Sequence, residues 1–217
     1  MIELANVSKY YPSKLGRQYV FNNLSFTIPG GHNIALLGKN GAGKSTLFRL
    51  LAGSEYPNQG LIRTSYNISW PVALATGVHP KMTGRENTRF IGRVNGVEDL
   101  QRYEEKVKRF AELRQKYDLP VRTYSSGMRS RLAFACCIAI DFDIYLIDEA
   151  ISVGDPKFRR KTKEALLHKS KTSNVIMVSH ELEDVRLFCD SAILIHQGKL
   201  SFYNDLEQAI DIYEANY

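Results

Sequence analysis

The period of the hydrophobic positions changes several times along this chain. Residues 2–28 alternate apolar and polar around Tyr10-Tyr11-Pro12 and end at Pro29-Gly30-Gly31, which predicts strands of a hairpin-rich sheet closing on a turn. Ile34-Ala35-Leu36-Leu37 is an unbroken apolar run, the length of one buried strand. Ser45 to Ala52 then carries a helical period that stops at Gly53, and Asn58-Gln59-Gly60 predicts a turn into a strand pair, Leu61 to Trp70. Two further buried strands follow much later, Ile144-Tyr145-Leu146-Ile147 running into Asp148-Glu149, and Asn174 to Val178 running into Ser179-His180.

Between the second and third groups the pattern is helical. Thr83 followed by Glu86 has the spacing of a capping box at a helix start. Glu98 to Tyr117 predicts one helix with Tyr103, Val107 and Phe110 on its apolar face and Glu104/Lys108 spaced for mutual support. Leu119-Pro120 breaks it, and Tyr124-Ser125-Ser126-Gly127 leads into a long apolar helix ending near Ile140. Residues 71–140 thus read as a helical lobe inserted between strands. Beyond it, Phe158 to Lys171 predicts a charged helix, Glu181 opens another, Gln197-Gly198 predicts a hairpin, and a short helix starts at Asp205.

Composition narrows the class. The 217 residues are 44% hydrophobic and 24% charged, enough for one sizeable α/β domain with an inserted lobe. No apolar run approaches the ~18 residues of a membrane span, and Met1 to Asn6 lacks the charged start and apolar core of a signal peptide. Three cysteines, two of them adjacent (Cys136, Cys137), suit neither a disulfide framework nor a metal cluster, so a cytoplasmic setting is expected. The net charge of +6 suits anionic lipid headgroups or nucleic acid. Yet no basic run exceeds Arg159-Arg160-Lys161 and no aromatics interleave with a basic stripe, which argues against nucleic acid.

The candidate chemistry begins at Gly38-Lys39-Asn40-Gly41-Ala42-Gly43-Lys44-Ser45-Thr46, which fits G-x-x-x-x-G-K-[ST] between a predicted strand and a predicted helix. Glycines at 38, 41 and 43 allow positive φ, so that successive N–H groups converge on one anion. The helix start adds its dipole, Lys44 a positive charge for the terminal phosphates, and Ser45 a hydroxyl for Mg²⁺. Asp148, at the end of a buried strand, is a candidate Mg²⁺ anchor, although a strand-end Asp also serves to cap a following helix. Glu149 is the candidate to orient and deprotonate water. His180 follows another apolar strand; a lone histidine is commonly structural, but this one falls at the sheet end shared with Gly38 and Asp148, where a γ-phosphate contact is expected.

Together these pieces resemble the ATP-binding subunits of ABC transporters, and the resemblance covers the whole chain. It implies a P-loop NTPase fold of the α/β class. A single ABC domain spans 1–217, with an N-terminal antiparallel β part, a catalytic core at about 1–70 and 141–217, and a helical lobe at about 71–140. It also implies ATP and Mg²⁺ as ligands, and an adenine-stacking aromatic at Tyr11, with Tyr10 as the near alternative. The family signature is usually LSGGQ and reaches across a dimer to the partner's γ-phosphate. Here it reads Tyr124-Ser125-Ser126-Gly127-Met128, departing at Ser126 and Met128. Ser152-Val153-Gly154-Asp155 resembles the loop after the catalytic glutamate, with Asp155 at the dimer seam. The family's glutamine, which contacts Mg²⁺ and the membrane subunit, has no counterpart between Gly60 and Leu100. The alignable residue is His79, either its replacement in the metal shell or an inert loop histidine.

Ile68-Ser69-Trp70-Pro71, Thr83-Gly84-Arg85-Glu86-Asn87, the signature and Asp148 to Asp155 resemble the bacterial polysaccharide exporters, above all the capsular-polysaccharide export ATPases of Gram-negative bacteria. O-antigen and teichoic-acid export ATPases are the alternatives. Many of those carry a C-terminal extension, whereas this chain runs 37 residues past His180. A soluble non-transport ABC ATPase is a more distant reading. The resemblance implies a homodimer on the cytoplasmic face of the inner membrane, peripheral to it, with an integral-membrane permease on the helical lobe, within capsule export machinery and without nucleic acid.

Overall fold

The computed structural model describes residues 1–14, 16–72, 77–148 and 155–216. In chain order the elements are β1 (Ile2–Ser13), β2 (Gly16–Ile28), β3 (Ile34–Leu37), α1 (Lys44–Leu51), β4 (Gln59–Thr64), α2 (Gly84–Val94), α3 (Leu100–Ala111), α4 (Ser126–Ile138), β5 (Ile144–Asp148), α5 (Pro156–Lys169), β6 (Asn174–Val178), α6 (Leu182–Phe188), β7 (Ser191–His196), β8 (Lys199–Tyr203) and α7 (Leu206–Asn216). They form two compact units: Met1–Pro71, Phe142–Glu149 and Lys169–Tyr217 in the first, Val72–Asp141 and Ala150–His168 in the second. No described helix is long and apolar enough to cross a membrane.

The first unit holds both sheets. One is antiparallel, ordered β2-β1-β4; the other is ordered β5-β6-β3-β7-β8, parallel from β5 to β7, with β8 antiparallel at its edge. The uninterrupted apolar runs are the inner parallel strands because they are covered on both faces: Ile34 to Leu37 and Val175 to Val178 are all buried. The alternating N-terminal segment is the antiparallel sheet, with one face inward. Ile2, Leu4, Val7 and Phe21 from that sheet join Leu36, Ile176 and Ile193 from the other, and Leu47 and Phe48 of α1, in one core. Gln197 and Gly198 both take positive φ, 48° and 73°, in the tight β7–β8 turn.

The structure revises the predicted strand pair between Leu61 and Trp70. Only β4 forms, paired with β1 from Gln59 to Thr64. Gly60 makes that pairing feasible: it has φ 78°, and a Cβ there would lie 2.2 Å from the Asn6 carbonyl oxygen. The β1 ladder ends at Ile2↔Thr64, so the chain beyond transfers to β5. There Ile68 bridges Ile144, the Ser69 N–H donates to the Ile144 carbonyl at 2.9 Å, and the Ser69 hydroxyl accepts the Leu146 N–H at 2.9 Å.

The second unit is helical. Its capping box is present: Thr83 accepts the Glu86 N–H, and the Glu86 carboxylate accepts the Thr83 N–H at 2.7 Å. Those bonds from Thr83, backbone first, hold the Glu86 carboxyl below its ordinary value. The helix expected over Glu98–Tyr117 is shorter. Asp99 caps α3, which ends at Ala111 because Glu112 is left-handed (φ 54°); Arg114–Asp118 is a separate 3-10 turn. Lys161, from α5, donates to the Phe110 carbonyl at 2.9 Å and to Glu112 at 2.6 Å, and so satisfies the end of α3 from a distant part of the chain. Phe158 of α5 sits edge-on to Phe110 and Phe134, with centroids 5.8 and 6.3 Å away. Glu104 does not rely on Lys108. Its two oxygens take Arg85 and Arg89 of α2, the latter at 2.6 Å, while Arg85 also holds Asp118 at 2.6 Å.

Candidate active site

The candidate phosphate loop is the turn from β3 into α1. Gly38, Gly41 and Gly43 have φ of 154°, 81° and 111°. A Cβ on Gly38 would lie 2.6 Å from the Ile195 carbonyl oxygen, and one on Gly43 would lie 2.8 Å from Val20 Cγ1. Packing therefore demands glycine at both ends of the loop, whereas at Gly41 only the backbone conformation does, since a Cβ there meets nothing within 4 Å. Lys44 reaches back over the loop, its Nζ donating to the Gly38 and Lys39 carbonyls at 2.6 and 3.1 Å. The Ala42 N–H donates to the Lys39 carbonyl at 3.0 Å, closing the turn. Helix α1 has no side-chain cap and no acid in its first turn, so its leading N–H groups suit an external anion.

Sheet topology brings the other strand-end residues to the same edge. With β5, β6 and β3 adjacent and parallel, Asp148, the Ser179-His180 step and Gly38 all leave the sheet at its C-terminal end, on strands spaced about 4.8 Å apart. Asp148 is half-buried, paired in register with Val178, and His180 is exposed. Ser45 is exposed on the first turn of α1. One hydroxyl and one carboxylate are a suitable protein share for Mg²⁺, which keeps waters and phosphate oxygens in the rest of its shell. Among the described residues no three His, Cys, Asp or Glu side chains cluster to form a protein-only metal site. Glu149, with the loop through Gly154, lies outside the described residues.

Tyr11 is half-buried on β1, and its hydroxyl donates to Glu55 at 2.7 Å. Burial pushes the Glu55 carboxyl up, but hydrogen bonds from Lys9, Tyr11 and Arg49 outweigh it, and its pKa falls to about 2. Tyr10 makes different contacts: its ring lies 5.1 Å from that of Tyr19, with Arg17 over it at 4.7 Å.

In the second unit, Ser125 caps α4, accepting the Met128 N–H at 3.2 Å. Tyr124 is buried, anchored by its hydroxyl to the Lys116 carbonyl at 2.7 Å, and Arg129 donates to the Tyr124 carbonyl at 2.8 Å. Ser126 is exposed. A Cβ on Gly127 would meet only Ser125 Oγ, at 4.0 Å, so nothing described within the chain requires glycine there. Asp155 caps α5 through the Phe158 N–H at 3.0 Å and pairs with Arg131 of α4. The Phe158 N–H, then Arg131, keeps the Asp155 carboxyl below its ordinary value.

His79 is exposed, and a residue that sequence patterning did not single out by itself fixes its backbone. Asn87 is wholly buried. Its Oδ1 accepts the His79 N–H at 2.6 Å, and its Nδ2 donates to the carbonyls of His79, Met82 and Thr83 at 3.1, 3.2 and 2.8 Å. The available signal was its helical phase, four residues before buried Ile91. Arg49 and Glu55 were missed for a different reason: their tie to Tyr11 spans 38 and 44 residues, beyond any local pattern.

Comparison with known proteins identifies the family and the fold. The ABC transporter family profile matches residues 21–152. The polysialic acid transport ATP-binding protein KpsT of Escherichia coli is 45% identical, covering all of both chains. The capsule polysaccharide export ATP-binding protein CtrD of Neisseria meningitidis serogroup B is 41% identical, covering 99% of each chain. Among solved structures, the dimeric post-hydrolysis state of the ATP-binding cassette MJ0796 bound to ADP and Pi is 21% identical. It superposes with a TM-score of 0.74, covering 93% of this chain and 97% of that one, which identifies the fold. The chain therefore belongs to the ABC transporter family, as one of its ATP-binding, ATP-hydrolysing members.

Proposed function

We propose that this chain is the ATPase that energises export of capsular polysaccharide across the inner membrane. On this reading it works as a homodimer bound peripherally to the cytoplasmic face, with an integral-membrane permease seated on the helical lobe. The observation that carries the reading is end-to-end similarity above 40% identity to two export ATPases of this kind from different organisms.

The N–H groups from Gly41 to Thr46 and the Lys44 ammonium bind and orient the phosphates of ATP. Ser45 and Asp148 hold Mg²⁺, which supplies charge neutralisation at the phosphates when bound. Glu149 orients the attacking water and accepts its proton; His180 donates to the γ-phosphate from the neighbouring strand end. Ser125 and Gly127, at the start of α4, serve the nucleotide of the second copy. The glycine without internal need at 127 supports that role, because a bare backbone lets another molecule approach closely. Asp155 lies at the dimer seam. His79, with its backbone fixed by Asn87, takes the place of the family's glutamine between metal shell and permease.

On this reading the chain supplies energy and carries no polysaccharide selectivity, which gene exchange tests. In a strain lacking this gene, a capsule-export ATPase from a strain with a chemically different capsule should restore surface display of the host polysaccharide, provided it assembles with the host permease. Assembly and ATP hydrolysis without export of this polysaccharide would show that this chain reads the sugar itself.

A further inference from the structure

The short stretch between α1 and β4 is tied to β1 by one carboxylate with donors on two elements. Glu55 Oε2 accepts the Tyr11 hydroxyl at 2.7 Å and the Lys9 ammonium at 2.9 Å, while Oε1 accepts Arg49 Nε at 2.5 Å. Arg49 continues the chain of contacts. Its Nη2 donates to the Tyr11 oxygen at 3.1 Å and to Thr46 Oγ1 at 3.3 Å. Lys9, almost fully buried, donates to the Tyr56 carbonyl at 3.0 Å and lies 5.2 Å from the Tyr11 ring centroid. The backbone closes the brace: Glu55 N–H donates to the Arg49 carbonyl at 3.1 Å, and Tyr10 N–H to Asn58 Oδ1 at 2.9 Å.

The Tyr11 hydroxyl is therefore held twice, as donor to Glu55 and as acceptor from Arg49. A strand that only needed stability would gain as much from an apolar residue at this half-buried position. The arrangement instead fixes the direction of one aromatic ring relative to Thr46, the residue immediately after the Lys44-Ser45 pair of the phosphate loop.

We infer that Glu55, Arg49 and Lys9 are positioning residues for the nucleotide base: they tether the Tyr11 ring to the last turn of α1, with Arg49 bridging to Thr46 near the phosphate loop, so that adenine stacks on the ring at a set distance from the phosphates. The inference rests on the adenine-stacking role that the family resemblance implies for Tyr11. Lys9 occupies one face of the ring, and the base takes the other. Holding the ring beforehand removes the cost of immobilising it on binding, worth about two- to tenfold in affinity for one side chain. The low proton affinity of Glu55 keeps the clamp charged throughout the neutral range.

The experiment is calorimetric binding of ATP and of inorganic tripolyphosphate, which engages the phosphate loop without a base, to the full chain and its variants. Tyr11→Ala should weaken ATP and leave tripolyphosphate unchanged. Glu55→Ala, and the milder Tyr11→Phe, which keeps the ring and loses only its tether, should each weaken ATP about two- to tenfold with tripolyphosphate unchanged. Glu55→Gln, still an acceptor for the tyrosine, should recover part of the loss, and Glu55→Ala added to Tyr11→Ala should cost nothing further. The clamp is overturned, with the platform standing, if Tyr11→Ala weakens ATP selectively while Glu55→Ala and Tyr11→Phe bind ATP as wild type does. Equal loss of both ligands in those two variants would make the cluster a structural brace and overturn it too. If Tyr11→Ala has no selective effect, the platform itself falls, and the clamp with it.

Discussion

Lys44 is held by two carbonyls of the loop it serves, so its ammonium is positioned before any phosphate arrives. On the proposed reading it is the cation that meets the terminal phosphates, so Lys44→Ala should abolish ATP binding in a calorimetric titration. Glu149→Gln should retain ATP and lose about 10²–10⁴ in turnover, the usual worth of a general base. Normal hydrolysis by that variant would reassign the base. At the same scale, Asn87 shows how one buried amide governs a loop it does not belong to. Four hydrogen bonds hold the chain from His79 to Thr83, and Asn87→Ala strands their backbone partners at about 1–3 kcal/mol for each buried group left unmet. If His79 relays nucleotide state to the permease, His79→Ala should impair export more than basal hydrolysis, and His79→Gln should restore most of it. Asn87→Ala should share that defect by loosening the same backbone. Equal export by wild type and His79→Ala would return His79 to an ordinary loop residue.

Among the elements, α2 carries the most instructions per residue. Thr83 and Glu86 start it, Arg85 and Arg89 bind Glu104 of α3, Asn87 binds the preceding loop, and Gly84 admits its neighbours: a Cβ there would lie 2.5 Å from the Tyr124 hydroxyl. The string Thr83 to Asn87 is thus a folding instruction for the lobe. Thr83→Ala should lower lobe stability by about 1 kcal/mol, the typical worth of an N-cap, as read by denaturant unfolding or by faster amide exchange in α2. No change in either would mean that tertiary contacts alone set this helix start.

For the whole molecule, if the phosphate loop and the signature segment of one chain serve different nucleotides, as proposed, two copies must pair head to tail. Glu149→Gln with ATP should elute as a dimer on size exclusion, and wild type with ADP as a monomer; a fully active monomer would contradict the arrangement. Acid should weaken the fold in a defined window. Glu55 has its pKa lowered from 4.5 to about 2, and a carboxyl depressed in the folded state stabilises it above the unfolded value. That contribution is complete above about pH 4.5 and fades as pH falls towards 2. Asp118, lowered chiefly by its hydrogen bond to Arg85, and Asp155 act in the same direction. Glu55→Gln should therefore lower the neutral plateau of a thermal-stability profile and flatten its acid limb; an acid limb as steep as that of wild type would contradict this contribution.

Local features followed from residue type and spacing alone. A four-residue apolar run stopped by a glycine is too short for a helix and suits a buried strand, a G-x-x-x-x-G-K-[ST] string after it turns as its glycines allow, and a Thr–Glu spacing caps its own helix. The β3–loop–α1 unit, the capping box of α2 and the β7–β8 turn are therefore legible in the residues themselves. What the tertiary structure decided depends on contacts between distant positions, to which local periodicity is blind. Strand order put Asp148, His180 and Gly38 at one edge, and the end of the β1 ladder moved Ile68 onto β5 in place of a second hairpin. Lys161, some fifty residues away, satisfied the carbonyl end of α3 where Glu112 turns left-handed, and Glu104 turned from its own helix to the arginines of α2. Glu55 became the keystone of the Tyr11 cluster because folding brought β1 alongside the end of α1.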